Sequence, residues 1–108
     1  MTKTVAILGA LDTKGAEFGF IKSEIEKRGC KTLVINVGVL GQPAFTPDVS
    51  AEEVARAGGA ELADLIAKQD RGEALDIMTR GAADVVKSLY EKGRFDGIIS
   101  MGGGGGTA

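Results

Sequence analysis

Three apolar stretches with little polar alternation divide the chain: residues 4–8, 32–37 and 95–101. Strands of a parallel sheet that is covered by helices on both faces have this pattern, because both rows of their side chains are buried. Each stretch is followed directly by a glycine, the residue that most readily begins a turn. The pattern therefore predicts three parallel strands.

Between the first two strands, apolar residues recur at helical spacing. Phe18, Ile21 and Ile25 fall on one face of a helix predicted over residues 15–28, and Gly29 follows as its left-handed C-terminal residue. Positions spaced in this way form the stripe with which a helix packs on a sheet. We expect this helix to cover one face of the first two strands.

Further helices are predicted between the second and third strands. Ser50 and Glu53 fit a capping box that begins a short helix, which ends at Gly58 and Gly59, and another helix follows over residues 61–68. The sequence therefore indicates two short helices before the longest one.

The longest helix is predicted over residues 72–92, with Gly93 as its stop. Its apolar stripe consists of Leu75, Met78, Ala82, Val85 and Leu89. Gly81 lies inside this helix, where glycine costs about 1 kcal/mol relative to alanine. Its presence predicts a close packing contact.

The order of elements is therefore β-α-β-α-α-α-β. Because crossovers between parallel strands are right-handed, we predict an α/β, Rossmann-like three-layer sandwich with a parallel sheet of order 2-1-3, incomplete after the third strand. Residues 1–108 would form a single domain, the first part of a longer one. In such sheets ligands bind beyond the carboxyl ends of the strands, where the first and third strands diverge.

Composition excludes several classes of function. The chain has 13 basic and 15 acidic residues and no Lys/Arg-rich run, so we expect no nucleic-acid partner. Its apolar runs are too short to span a membrane, and it has one cysteine, which suits a cytoplasmic location. It has no histidine, which excludes imidazole chemistry. We identify no catalytic base or nucleophile, so the sequence leaves enzymatic activity open.

The third strand runs into a glycine-rich loop that suits an anion. Glycines can direct successive backbone N–H groups into one concavity and let a phosphate approach the main chain. The predicted ligands are the backbone amides of this loop and the Thr107 hydroxyl; its glycines are Gly102, Gly103, Gly104, Gly105 and Gly106. The alternative is a flexible tail, which glycine runs also form.

The loop after the first strand offers a carboxylate, a hydroxyl and an ammonium group in Asp12, Thr13 and Lys14. Lys14 would pair with phosphate, Thr13 would donate to it, and Asp12 would hold Mg²⁺ through water or orient the loop. The alternative is that Asp12 or Thr13 caps the helix that follows. Asn36 ends the second strand, where dinucleotide-binding folds often place an acid on the ribose hydroxyls, and an amide can also hydrogen-bond ribose.

Five stretches carry a resemblance to a known family: Gly9–Gly15, Asn36–Gly38, Pro47–Ser50, Ala74–Gly81, and the third strand with the glycine run that ends at Thr107. In these stretches the chain resembles the N-terminal domain of the plant tobamovirus (tomato mosaic virus) resistance protein family. That family includes bacterial relatives described as an uncharacterised protein family. In the family this domain is longer than the present chain, and a second α/β domain follows it.

The resemblance implies ATP binding, with Mg²⁺, by a Rossmann-like domain whose two loops hold the phosphates. Two positions depart from the family pattern. Gly104 stands where a serine is usual, and Asn36 stands where an aspartate is common. The first departure removes a phosphate donor, and the second weakens a ribose or metal role.

We therefore expect a nucleotide-binding domain whose cofactor is ATP with Mg²⁺. One alternative is kinase-like phosphoryl transfer completed by other residues or by a partner. Another is a structural or oligomerisation fragment with no ligand, because three strands leave sheet edges exposed. The partners that the sequence leaves open are a second copy of the chain and a second α/β domain.

Overall fold

The computed structural model describes residues 3–11, 15–38 and 45–100. These residues form three strands and four helices. In chain order they are β1 (Thr4–Gly9), α1 (Gly15–Lys27), β2 (Lys31–Asn36), α2 (Ala51–Ala57), α3 (Leu62–Lys68), α4 (Arg71–Glu91) and β3 (Gly97–Ser100). In the described ranges, no helix is long and apolar enough to cross a lipid bilayer.

The three strands form one parallel sheet in the order β2-β1-β3, as the sequence predicts. β1 is the central strand, and its Ile7 lies in register with Val34 of β2 and with Ile99 of β3. The α/β, Rossmann-like arrangement is therefore confirmed.

Helices pack on the two faces of the sheet through separate apolar clusters. On one face α1 contributes Phe18 to a cluster with Ile7, Leu11 and Val34, while Ile21 and Ile25 pack around it. On the other face α2, α3 and α4 form the larger cluster, which includes Leu33, Ile35, Val54, Leu65 and Met78. The alternation of β1 and β2 side chains between these clusters explains why both strands are apolar throughout.

β3 is shorter than the predicted strand over residues 95–101. At its start Asp96 N still donates to Thr4 O, but Thr4 N donates to the side-chain Oδ2 of Asp96 at 2.9 Å, so a side chain replaces the next backbone acceptor of the ladder. Phe95 is buried just before the strand, with its ring centroid 5.8 Å from that of Tyr90. Met101, at the other end, lies outside the described residues.

Side-chain caps set the starts of α2 and α4. Ser50 Oγ accepts a hydrogen bond from Glu53 N at 3.2 Å, which confirms the predicted cap of α2. α4 begins one residue earlier than predicted, because Asp70 Oδ1 accepts from Glu73 N at 3.0 Å and caps it. An aspartate satisfies the otherwise unpaired amides of a first helical turn well.

α4 and α2 cross with their backbones in contact. A Cβ atom added to Gly81 would overlap the carbonyl oxygen of Val54, and one added to Gly58 would overlap that of Ile77. The close contact predicted at Gly81 is therefore confirmed. Glycine is required there because any side chain would force the two helices apart.

The close crossing also changes the buried stripe of α4. Ala74, Met78 and Ala82 are buried, whereas Leu75 is 49% exposed, contrary to its predicted place in the stripe. Small residues suit a face that lies against another helix backbone. The spacing of large apolar residues alone could not predict that Ala74 is buried in place of Leu75.

We predict that Gly81→Ala lowers the free energy of unfolding by about 1–3 kcal/mol, the range for overpacking a tight contact. Gly72→Ala is the matched control in the same helix, because its Cβ would meet only Asp70 Oδ1, at 3.5 Å. It should be neutral or stabilising by about 0.5–1 kcal/mol. Urea unfolding followed by circular dichroism measures both, and equal stability of the two variants would contradict the crossing.

Candidate functional site

The carboxyl ends of the three strands form the edge at which the sequence places a ligand. We call this the candidate edge; its described residues are Gly9–Leu11, Gly15, Asn36–Gly38 and Ser100. Leu8 of β1 pairs with Ser100 of β3, so the two strands end side by side. The segments that follow them therefore leave the sheet from neighbouring positions.

Of the predicted ligands, Asn36 alone falls in the described part of the chain. The others lie outside the described residues: Asp12, Thr13, Lys14, Gly102, Gly103, Gly104, Gly105, Gly106 and Thr107. The structure does place Leu11 and Gly15, which flank the first group in sequence, and Ser100, after which the second group follows. The attachment points of both predicted loops thus share the candidate edge.

Asn36 is a buried polar residue with a structural role at this edge. Its side chain is 2% exposed, and its Oδ1 accepts hydrogen bonds from Leu11 N at 3.1 Å and from Gly38 N at 2.9 Å. A buried amide oxygen is stable only when it is paired, and here it pairs with two loop amides. Asn36 therefore joins the loop after β1 to the loop after β2.

Backbone hydrogen bonds reinforce the same connection. Val37 N donates to Gly9 O at 3.0 Å, just beyond the end of the β1–β2 ladder. Asn36 N donates to Val49 O at 3.0 Å and so ties the end of β2 to the segment that precedes α2. The described backbone at the candidate edge is held by direct bonds between segments.

Leu11 is a residue of the edge that the sequence analysis did not single out. Its side chain is fully buried in the cluster with Phe18 and Ile7. Together with the Asn36 bond to its amide, this burial fixes the residue immediately before Asp12. The sequence signal for its burial is that Leu11 is a large apolar residue directly before three polar ones.

Gly9 lets α1 approach the end of β1. A Cβ atom at this position would overlap the ring of Phe18, which is fully buried. The helix therefore lies close to the strand that leads into it. Close helix–strand packing of this kind is one of the roles of glycine in dinucleotide-binding folds.

α1 begins at Gly15 on the candidate edge and extends over 13 residues. The first amides of a helix have no partner within the helix, and its N-terminus carries a partial positive charge. Because α1 returns antiparallel to β1, this end faces the side on which the strands terminate. The candidate edge is thus suited electrostatically to an anion.

A charged network lies at the opposite end of β2. The Glu26 carboxylate accepts hydrogen bonds from Lys22 Nζ at 2.6 Å and from Thr32 Oγ1 at 2.8 Å. These two bonds, with the Lys22 bond as the larger cause, lower the pKa of Glu26 from its usual value. The network joins α1 to β2 away from the candidate edge.

Two other features of the described residues bear on ligand chemistry. Among them, no three carboxylate or thiol side chains lie close enough together to hold a metal ion. A shallow, open depression lies along α1, lined by Ala16, Glu17, Phe20 and Ile21. It is mainly apolar, so it lacks the donors that a phosphate requires.

Comparison with protein families decides where the chain belongs. The N-terminal domain model of an uncharacterised protein family, UPF0261, matches residues 3–108. This chain belongs to the UPF0261 family. The prediction of an uncharacterised protein family is therefore confirmed.

Several UPF0261 proteins of bacteria are similar to the chain over nearly all of its length. The UPF0261 protein of Clostridium tetani is 51% identical over 108 residues, which are 100% of this chain and 27% of the relative. A relative from Brucella suis is 35% identical over 95% of this chain and 25% of its own length. One from Rhizobium meliloti is 33% identical over 98% of this chain and 26% of its own length. The chain thus spans about a quarter of these relatives.

The UPF0261 matches correct the expected membership in the tobamovirus resistance-protein-like family. The family model and the relatives are described as UPF0261, and their descriptions name no ATP-binding domain of the resistance-protein type. That assignment was wrong, so family membership lends no support to ATP binding. No solved structure matches the chain.

We predict that Asn36→Ala lowers the free energy of unfolding by about 1–3 kcal/mol, because it leaves two buried amides without their acceptor. Hydrogen exchange at the Leu11 and Gly38 amides should become faster in the same variant. Asn36→Asp is the matched control, since it keeps a side-chain oxygen at the same place and should retain more of the protection at neutral pH. Unchanged exchange at both amides in Asn36→Ala would contradict this role.

Proposed function

We propose that this domain binds a nucleotide, ATP with Mg²⁺, through its phosphates at the candidate edge. One observation supports this most: β1 and β3 end side by side, with Leu8 paired to Ser100. The sequence after each strand has the chemistry of a phosphate site, Asp-Thr-Lys-Gly in one case and a glycine run in the other. Parallel α/β sheets bind ligands at this kind of position.

The roles proposed for the residues follow from their chemistry. Lys14 supplies a positive charge to the phosphates, and the hydroxyls of Thr13 and Thr107 donate to phosphate oxygens. Asp12 holds Mg²⁺ through water, as carboxylates commonly do in nucleotide sites. The amides of Gly102–Gly106 and those of the first turn of α1 add uncharged donors.

In this proposal Asn36 acts chiefly on the position of the loop after β1. Its Oδ1 already accepts from the amides of Leu11 and Gly38, so a contact with the ribose would use its side-chain NH₂ group. Burial of the Leu11 side chain supports the same role. A loop whose start is held in this way loses less conformational entropy when it closes on a ligand.

We place this binding in the cytoplasm. The chain has a single cysteine, Cys30, which suits a reducing compartment.

The test is isothermal titration calorimetry of the chain with ATP and Mg²⁺, alongside Lys14→Ala. We expect Lys14→Ala to weaken binding by about 1–3 kcal/mol, the range for hydrogen bonds to a charged group. Lys27→Ala is the matched control, because Lys27 lies in the last turn of α1, at the end of that helix away from the candidate edge, and its side chain is largely exposed. It should bind ATP as the unsubstituted chain does.

Parallel titrations with GTP and with inorganic tripolyphosphate separate recognition of phosphate from recognition of the base. Equal affinity for all three ligands would mean that the phosphates alone are bound. No heat and no competition at millimolar ATP, from a chain shown to be folded by circular dichroism, would refute the proposal. Equal losses in Lys14→Ala and Lys27→Ala would refute the assignment of the site.

A further inference from the structure

Strand β3 is apolar on both faces, yet both faces are open to solvent. Ile98 is in register with Ala6 and is 46% exposed, while Ile99 is in register with Ile7 and is 37% exposed. The β1 partners of both residues are fully buried. A parallel strand with apolar residues on both faces is typical of the interior of a sheet.

The two outer edges of the sheet differ in whether their backbone groups have hydrogen-bond partners. At the outer edge of β2, Val34 N donates to Asp48 Oδ2 at 2.7 Å, and Val34 O accepts from Asp48 N and Val49 N, each at 2.9 Å. These bonds pair the outward-pointing N–H and carbonyl groups of Val34 and leave no room for another strand beside them. The segment around Asp48 therefore closes the β2 side of the sheet.

The outer edge of β3 has none of these protections in the residues that the structure describes. No strand or side chain there pairs with it, and its sequence, Gly-Ile-Ile-Ser, contains no lysine or proline of the kind that blocks edge pairing. An open edge flanked by two exposed isoleucines is a surface that another strand can extend.

From this surface and from the length of the relatives, we infer that β3 is an interior strand in full-length UPF0261 proteins. The matched region is 27% of the C. tetani relative and 25% of the B. suis relative, so most of each polypeptide lies outside it. We propose that a further parallel strand from that remaining polypeptide pairs with the outer edge of β3. The helix that leads to this strand would cover Ile98.

The handedness of crossovers decides which face that helix covers. The connection from β2 to β3 passes through α2, α3 and α4, on the face of the sheet that Ile98 shares. A strand added beyond β3 continues in the same direction across the sheet. A right-handed crossover must then lie on the same face. The helix of this crossover therefore covers Ile98, and it does not cover Ile99.

Hydrogen exchange tests the pairing directly. We would compare the 108-residue chain alone with a full-length protein in which this chain replaces the matched region of the C. tetani relative. The outward-pointing amides of residues 97–100 should exchange at least about tenfold more slowly in the full-length protein, because a ladder bond protects them. The amides of β1 should be protected in both proteins.

A substitution tests the proposed cover over Ile98. Ile98→Lys should leave the thermal midpoint of the chain alone nearly unchanged, since the side chain is exposed there, and should lower it by several degrees in the full-length protein. Leu75→Lys is the matched control, because Leu75 is 49% exposed on α4. It should have little effect in either protein.

Two outcomes would overturn the inference. One is equally fast exchange of the β3 amides in both unsubstituted proteins, a result that does not depend on whether any variant folds. The other is concentration-dependent protection of β3 in the short chain together with fast exchange in the full-length protein, which would mean that a second copy pairs there. Neither outcome depends on nucleotide binding.

Discussion

Burial of β1 on both faces and pairing on both edges is the constraint on which the rest of this domain depends. Ala6 and Ile7 point to opposite faces, and neither is exposed to solvent. Its backbone pairs with β2 on one side and with β3 on the other. The helices on the two faces are therefore positioned relative to each other through this one strand, as are the segments that leave the candidate edge.

Two glycines allow close contacts between the elements that pack around β1. Gly9 admits the ring of Phe18 at the end of β1, and Gly81 admits the Val54 carbonyl where α4 crosses α2. The first contact brings the start of α1 close to the carboxyl end of the sheet. The second brings the longest helix against α2 and so closes the larger apolar cluster. In both cases the absence of a Cβ atom sets the distance between two elements.

The candidate edge is a framework of buried and hydrogen-bonded residues, from which two segments with a predicted phosphate chemistry continue in sequence. Asn36 holds the framework, because one buried oxygen accepts from amides in two different loops. Membership in UPF0261 says nothing about a ligand, so the proposed nucleotide site rests on the residue types in these two segments and on the neighbouring ends of β1 and β3. The outer edge of β3 is a lateral edge of the same sheet, and it concerns how the sheet continues in the full-length proteins.

The sequence by itself determined the class of fold, the order of the strands and the ends of most helices. Apolar runs closed by glycine are local signals, and the handedness of crossovers limits three such strands to few arrangements. Caps at Ser50, Gly29 and Gly93 act through neighbouring backbone and could therefore be predicted. A close contact at Gly81 could be predicted because glycine is unfavourable inside a helix, but the Val54 carbonyl as its partner could not.

Tertiary structure alone decided the features that join residues distant in the chain. Asn36 was predicted as a ribose ligand from its position, and its bond to Leu11, 25 residues away in sequence, depends on how two strands pair. Leu75 was assigned to the buried stripe by its size, whereas the close crossing of α4 and α2 selected Ala74 instead. Likewise, Asp48 closes the β2 edge only because its segment returns beside Val34. The periodicity of the sequence predicts which face of an element is apolar. The distance between two packed elements depends on the side chains of both at their contact, and these come from distant parts of the chain.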